Sequence, residues 1–341
     1  MRLKPKQQTR AASRATRRRI LAGLPLLPLA FSTARAETAA NYPTRPVSVV
    51  VPYAAGGGLD LIARLLAQKL TERAGQSFFV ENRLGAGGVI AASAVAKATP
   101  DGYTLLVGSS TQLAIQVTLH KKLPYDPATD FVPIALVASV PFVLIVNPSL
   151  PVHTAGELIA LAKEKPGQLS FGSSGVGGPP HLYMELLQTM TGAKMTHIPY
   201  KGTAEAIVDV LSGRVPVLMS DVAPAAPLIA AGKVRALGVS STTRVAVLPD
   251  VPPIAENGVP GFDAVAWLMV VAPAAIPPAI VDKLHTDLKA IVAAPDTQQK
   301  LVKLGTIPID TPPVPALQAY VKSEISRWGK VVEHAGLAGS Q

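Results

Sequence analysis

One unit recurs along this chain and leaves few folds open: a short β-branched run, a glycine- or hydroxyl-rich break, then apolar residues at helical spacing. Val47–Val51 contains four valines in five residues. Pro52–Gly58 interrupts it, and Leu59, Ile62, Ala63, Leu66 and Leu70 then recur on one helical face. Phe78–Val80 and Thr104–Val107 read as further strands around an alanine-rich helix near Val89–Ala98. A second series opens after Pro141. It comprises strand-like Phe142–Val146, Leu169–Phe171, Met195–Ile198, Val215–Met219 and Ala236–Val239, separated by helical segments. Thr154-x-x-Glu157 has the form of a capping box opening one of those helices. A strand over Ala264–Ala272 and helices around Ile280–Ala293 and Leu317–Val332 close the chain. In the last helix Leu317, Val321, Ile325, Trp328 and Val332 form an apolar stripe. Such alternation predicts an α/β architecture built on parallel sheet.

The amino-terminal segment is of another kind. Residues 1–36 hold nine Lys/Arg and no acidic residue, run apolar from Ile20 to Phe31, and end in Ala34-Arg35-Ala36. That is the pattern of an export signal cleaved near Ala36, with the mature protein in the periplasm. Arg17-Arg18-Arg19 fits either a twin-arginine signal or an arginine-rich general secretory one. The whole chain carries 32 Lys+Arg against 22 Asp+Glu. Without the nine basic residues of the leader the balance is 23 against 22, so no basic excess remains for a nucleic-acid backbone. There is no Cys, which removes disulfides, thiolate catalysis and thiolate metal sites.

Enzyme motifs fail one by one. G-x-G-x-x-G counted from Gly56, Gly85 or Gly175 meets Leu61, Ile90 or Pro180 at its last place. No G-K-[ST] is present, and Val176 occupies the closing glycine of a hydrolase elbow around Ser174. The six His are spread singly, at 120, 153, 181, 197, 285 and 334, and read as surface or core-edge residues. Neither a catalytic set nor a cofactor or metal is expected.

Three turns between strand and helix remain as candidates. The first holds Tyr53, Gly56, Gly57 and Gly58 and runs to Leu59; the second is Ser109, Ser110 and Thr111. The third carries Ser173, Ser174, Gly175 and Gly177. Helix amino termini offer unpaired N–H groups and a positive dipole end, glycine admits an oxyanion close to the backbone, and hydroxyls add donors. Such turns lie beyond the carboxyl ends of parallel strands, where open α/β sheets bind ligands. Together they predict an anion site.

The same residues carry a family resemblance. Val50-Val51-Pro52-Tyr53-Ala54-Ala55-Gly56-Gly57-Gly58-Leu59-Asp60 is similar to the first signature of the Bug family, the substrate receptors of tripartite tricarboxylate transporters. So are Val80-Glu81-Asn82-Arg83 with Gly85-Ala86-Gly87-Gly88, Pro100-Asp101-Gly102-Tyr103-Thr104 and Leu123-Pro124-Tyr125-Asp126-Pro127. His197-Ile198-Pro199-Tyr200-Lys201-Gly202, Leu248-Pro249-Asp250-Val251-Pro252, the run from Trp267 to Pro273 and Arg327-Trp328-Gly329-Lys330-Val331-Val332 continue the match in order. The resemblance implies a type II periplasmic binding-protein fold, two α/β lobes with a ligand cleft between them. Lobe 1 would be 42–140 plus 264–341 and lobe 2 141–263, with hinges at Val140–Phe142 and near Asp263–Trp267.

It also implies a solute receptor rather than an enzyme. Such a receptor captures a small carboxylate (an organic acid or acidic amino acid), acts as a monomer and docks on membrane transporter subunits. A receptor feeding a sensor system, or a hydrolase, is the alternative. Ligand loops map onto 53–60, 109–111, 173–177 and the stretch from Tyr200 to Asp221, with one carboxylate held through waters on the first glycine loop. Leu59 departs from the hydroxyl residue of many relatives, and Met219-Ser220-Asp221 from a more usual Phe-Asp-Asn. Asp221 either reads a ligand ammonium or caps the helix beginning near Ala223.

Overall fold

The computed structural model describes residues 41–341; the expected leader lies outside them. The chain opens with β1 (Val47–Val51), α1 (Gly58–Ala74), β2 (Phe78–Asn82), α2 (Val89–Ala96) and β3 (Thr104–Ser109). A π-helical turn, Thr111–Ile115, runs into α3 (Gln116–Leu119). Next come β4 (Phe131–Val140), β5 (Phe142–Val146), α4 (Ala155–Glu164), β6 (Ser170–Ser173) and α5 (Pro179–Thr191). They are followed by β7 (Thr196–Pro199), α6 (Thr203–Ser212), β8 (Val217–Asp221), α7 (Val222–Ala230) and β9 (Arg235–Val239). The chain ends with β10 (Ala266–Pro273), α8 (Pro278–Ala293), α9 (Pro295–Lys303), β11 (Ile307–Pro308) and α10 (Val314–His334).

These strands form two sheets, ordered β11-β4-β10-β3-β1-β2 and β7-β6-β8-β5-β9. β1 pairs in parallel with β2 (Val47 opposite Phe78) and with β3 (Val49 opposite Leu105). Sandwiched so, four of its five residues are buried, as a run of valines requires. α1 ends where Gly75 turns into the left-handed region at φ 68° and its amide bonds Thr71 O. At Thr154 the expected cap is present: its side chain accepts from the Glu157 amide at 3.0 Å, while Glu157 reaches back one residue further, to the His153 amide.

The expected parallel pairing is present in both sheets, and antiparallel strands join it. β10 is antiparallel to β3 and β4, and β5 is antiparallel to β8 and β9. The cause lies in the crossings between sheets. β4 hands over to β5 through Pro141 alone, leaving no length for the crossover helix that a parallel strand needs. β4 itself has no counterpart among the expected strands. Its sequence is almost uniformly apolar and contains Pro133, which sits opposite Val271 at a register shift in the β4–β10 ladder, where a missing donor is tolerated.

The two crossings lie side by side: Ala266 of β10 faces Val140 of β4. Ser240, wholly buried, joins them to the second sheet. Its Oγ accepts from Phe142 N at 2.8 Å, its amide donates to Phe142 O, and its carbonyl accepts from Ala264 N at 2.9 Å. α10 covers this region, burying Leu317, Val321, Trp328 and Val332 in a cluster that also holds Leu144, Phe171 and Tyr183 of the second sheet's layer. Buried Glu324 on the same helix accepts from Trp267 Nε1 at 2.8 Å and Trp328 Nε1 at 3.0 Å. No described helix is long and apolar enough to cross a membrane.

Candidate functional site

A cavity of about 490 Å³ lies where the carboxyl ends of strands from both sheets meet. Val140, Pro141 and Phe142 line it at one crossing, Ala266 and Leu268 at the other. Around them stand the amino termini of α1, α5 and α7, the turn after β3, and the turn Leu304–Thr306 after α9.

The α1 side is built from the backbone outward. Gly57 and Gly58 line the cavity, and the first intrahelical bond runs from Leu61 N to Gly57 O. The amides of Gly58, Leu59 and Asp60 therefore precede the helical ladder and are open to an acceptor. Asp60 holds this turn in shape. Its buried carboxylate accepts from the Gly56 amide and Arg64 Nε, each at 2.8 Å, and from Asn82 Nδ2 at 2.8 Å. Burial works to raise its pKa, but Arg64, the Gly56 amide and Asn82 together outweigh this and bring it to about 2. Asn82 also donates to Tyr53 O at 2.9 Å.

A second organiser is Gln112, fully buried on the π-helical turn. Its Nε2 donates to Tyr53 Oη at 2.9 Å and to Gly87 O at 2.8 Å; its Oε1 accepts from the Ser109 amide and hydroxyl. One amide thus fixes three loops. Because Tyr53 Oη is the acceptor from Gln112, its own hydrogen is free for the cavity. Gly88 makes the arrangement sterically feasible: a Cβ there would come within 2.4 Å of Gln112 Nε2, and its φ is +94°.

The cavity brings together eight of the expected residues: Tyr53, Gly57, Gly58, Leu59, Ser109 and Thr111 from the first sheet's side, Ser174 and Asp221 from the second. Ser109 spends its proton on Gln112, so it serves the loop more than a ligand. The other six lie off the lining. Gly56 is tied to Asp60, and Ser110 is buried behind the turn. Ser173 bonds Gly175 and His197, while Gly175 and Gly177 shape their loop at φ 131° and 73°. Tyr200 donates to Asp209 at 2.7 Å.

Beneath that third loop, two histidines read as isolated in the sequence stand face to face. His181 and His197 stack with centroids 3.6 Å apart, and His197 also stacks on Phe171. His197 Nε2 lies 2.6 Å from Ser173 Oγ, and His181 Nδ1 accepts from the Gly177 amide at 3.0 Å. Burial first, and His181 second, lower the His197 pKa to about 4. Asp221 stands at the N-cap of α7 but makes no side-chain cap; its Oδ2 accepts instead from Thr203 Oγ1 at 2.7 Å. The capping alternative for Asp221 therefore fails. Among the described residues no His, Asp or Glu cluster could hold a metal.

Among the described residues no Lys, Arg or His lines the cavity, and Asp221 is the one carboxylate in its lining. An anion here would be met by neutral donors and a helix dipole. Residues 62–337 match the profile of the tripartite tricarboxylate transporter family receptor. The chain belongs to this receptor family. BugT of Bordetella pertussis is 37% identical over 319 residues, spanning 93% of this chain and 98% of the relative. Among solved structures, R. palustris Rpa4515 with adipate superposes with TM-score 0.76 at 41% identity, covering 87% of the receptor and 99% of that chain. MatC (Rpa3494) from Rhodopseudomonas palustris with bound malate gives 0.70 at 34%, covering 85% and 100%. The receptor thus has the two-lobed α/β binding-protein fold, resides in the periplasm and binds solute rather than turning it over.

Proposed function

We propose that the receptor captures a small carboxylate in the cavity between its sheets, with the carboxylate at the amino terminus of α1. The observation that carries this is the glycine turn held by the buried Asp60 carboxylate, with Gly58 and Leu59 at the open helix start facing a cavity that no cation lines among the described residues. Tyr53 Oη and Thr111 stand beside it as further donors. Ordered water between the anion and the α1 amides serves nearly as well as direct contact. Two of the solved relatives hold dicarboxylates, adipate and malate, which supports the assignment.

The lobes would be 42–140 with 264–341, and 141–263. They would turn about Val140–Phe142 and the stretch from Asp263 to Trp267, where Ser240 links both crossings. Closure strips water from the solute, and the closed monomer docks on the membrane subunits of a tripartite tricarboxylate transporter. Mass spectrometry of solute released on denaturing the purified receptor tests the ligand class. A carboxylate is expected; a solute without an acidic group would overturn the assignment.

A further inference from the structure

The two ends of the cavity differ in what they accept, and from this we infer that the ligand carries a hydrogen-bond donor, an ammonium before all, at the end away from its carboxylate. This rests on the carboxylate assignment above and names the class of solute within it. Asp221 lines the cavity from the second sheet's side, with Thr203 as partner to one carboxylate oxygen. It takes part in no salt bridge among the described residues, and it spends nothing on capping α7.

The backbone around it offers fewer compensating donors than the turn at α1. α5 begins Pro179-Pro180 and α7 has Pro224 in its first turn, so the amides that face an anion at α1 are missing at three of these positions. A second ligand carboxylate would meet Asp221 across a space with no cation in its walls, and like charges there repel. A donor would meet an acceptor with capacity to spare, and an ammonium would form a charge-assisted bond. Between the two ends Ile62, Phe142, Val140 and Leu268 present apolar surface, suited to a hydrocarbon body. The ligand class is therefore an ω-amino or ω-hydroxy carboxylate with an apolar middle. It differs at one end from the adipate and malate of the relatives.

The test is calorimetric, on the purified receptor at pH 7.5, with hexanoate, 6-hydroxyhexanoate, 6-aminohexanoate and adipate, repeated at four and eight carbons. At the best-fitting length the amino acid is expected to bind at least tenfold tighter than the dicarboxylate, a difference of about 1.4 kcal/mol. Asp221→Asn should erase or invert that ratio, and Gly57→Val should weaken the whole series. Adipate binding as well as 6-aminohexanoate to the unaltered receptor, or an unchanged ratio in Asp221→Asn, overturns the inference even if Gly57→Val still weakens every member. Indifference of the whole series to Gly57→Val, or no binding at any length, would instead overturn the carboxylate site beneath it.

Discussion

The cavity's two walls are made from the same unit, a strand, a turn and a helix amino terminus, yet they carry opposite character. On the first, α1 begins Gly-Leu-Asp, every residue of its first turn has an N–H, and the acidic residue is turned back to brace the loop. On the second, α5 begins with two prolines, α7 has another in its first turn, and the acidic residue lines the cavity. A helix dipole alone would have made both walls anion sites. Which residues occupy the first three helical positions, and where a nearby carboxylate is spent, decide the matter.

The largest expected effect comes from removing the brace of the first wall. Asp60→Ala leaves the Gly56 amide, Asn82 and Arg64 without their shared acceptor. Because Arg64 is about half exposed, the loss is mainly that of the hydrogen bonds from the Gly56 amide and Asn82 to a buried carboxylate, about 2–3 kcal/mol. Chemical denaturation should show that loss, and solute affinity should fall with it. A variant with unaltered stability would mean that the glycine turn holds itself. The pH dependence carries the same sign. A carboxylate lowered to about 2 stabilises the fold fully above its ordinary value of 3.8, and that contribution is lost as pH falls toward 2.

Gly57→Val comes next and separates binding from folding. Gly57 has an extended backbone, φ −74°, and a Cβ there would meet nothing closer than Ala54 O at 3.5 Å. A Cβ can be placed there without strain, and the side chain it carries would occupy the mouth of the anion site. Affinity for the bound solute should fall more than tenfold, above ~1.4 kcal/mol, with the thermal transition within a degree or two. Unchanged affinity by calorimetry would move the carboxylate off the first wall.

The third test bears on the second wall's loop. His197, with its pKa lowered to about 4, is held neutral in the fold by burial and by the stacked His181. Unfolded, it takes a proton near its ordinary 6.5, so the unfolded chain binds more protons between these values. Stability is therefore full above pH 6.5 and declines as pH falls toward 4. Discounted for partial exposure, about 1–2 kcal/mol is at stake. His181 and Glu185 face the same stack, so the check is a difference: His197→Asn should lose less of its melting temperature between pH 7 and 5 than the unaltered receptor. Equal losses would assign the pH response elsewhere.

Much of this was legible in the residues. Val47–Val51 and Phe142–Val146 are apolar runs buried as strands, and of the stripe on the last helix Leu317, Val321, Trp328 and Val332 are buried and Ile325 half-buried, because strand and helix impose these patterns locally. Eight of fourteen candidate ligand residues meet in one cavity, since a turn after a parallel strand places its residues at the sheet's carboxyl edge whatever else the chain does. What was not legible depended on distant partners. β4 has neither alternation nor a clean boundary, and its pairing with β10 is made across more than a hundred residues. Gln112, Asn82 and Ser240 organise loops far from them in sequence; Asn82 falls within the Val80–Arg83 motif, but nothing in the residues beside any of the three shows which loops they reach. His181 and His197 become a pair only because β6 carries Phe171 beside β7, with α5 packed over both. The Leu304–Thr306 turn, which completes the cavity, follows a polar helix with no signal of a site.

The smallest effect belongs to Ser174, the one hydroxyl that the third loop offers the cavity. It lies in the loop that leads into the two prolines of α5, so if its oxygen is lost the first two positions of that helix have no amide to take its place. Its partner would be an uncharged part of the ligand or a bridging water, and a neutral hydrogen bond contributes about 0.5–1.5 kcal/mol. Ser174→Ala should therefore weaken binding by roughly two- to tenfold, leave the His181–His197 stack and the melting temperature unchanged, and preserve the preference set at Asp221. The comparison with Gly57→Val is what gives the small number meaning. Should Ser174→Ala cost more affinity than Gly57→Val, the carboxylate would belong to the second wall, and the order of the two ends of the ligand would have to be reversed.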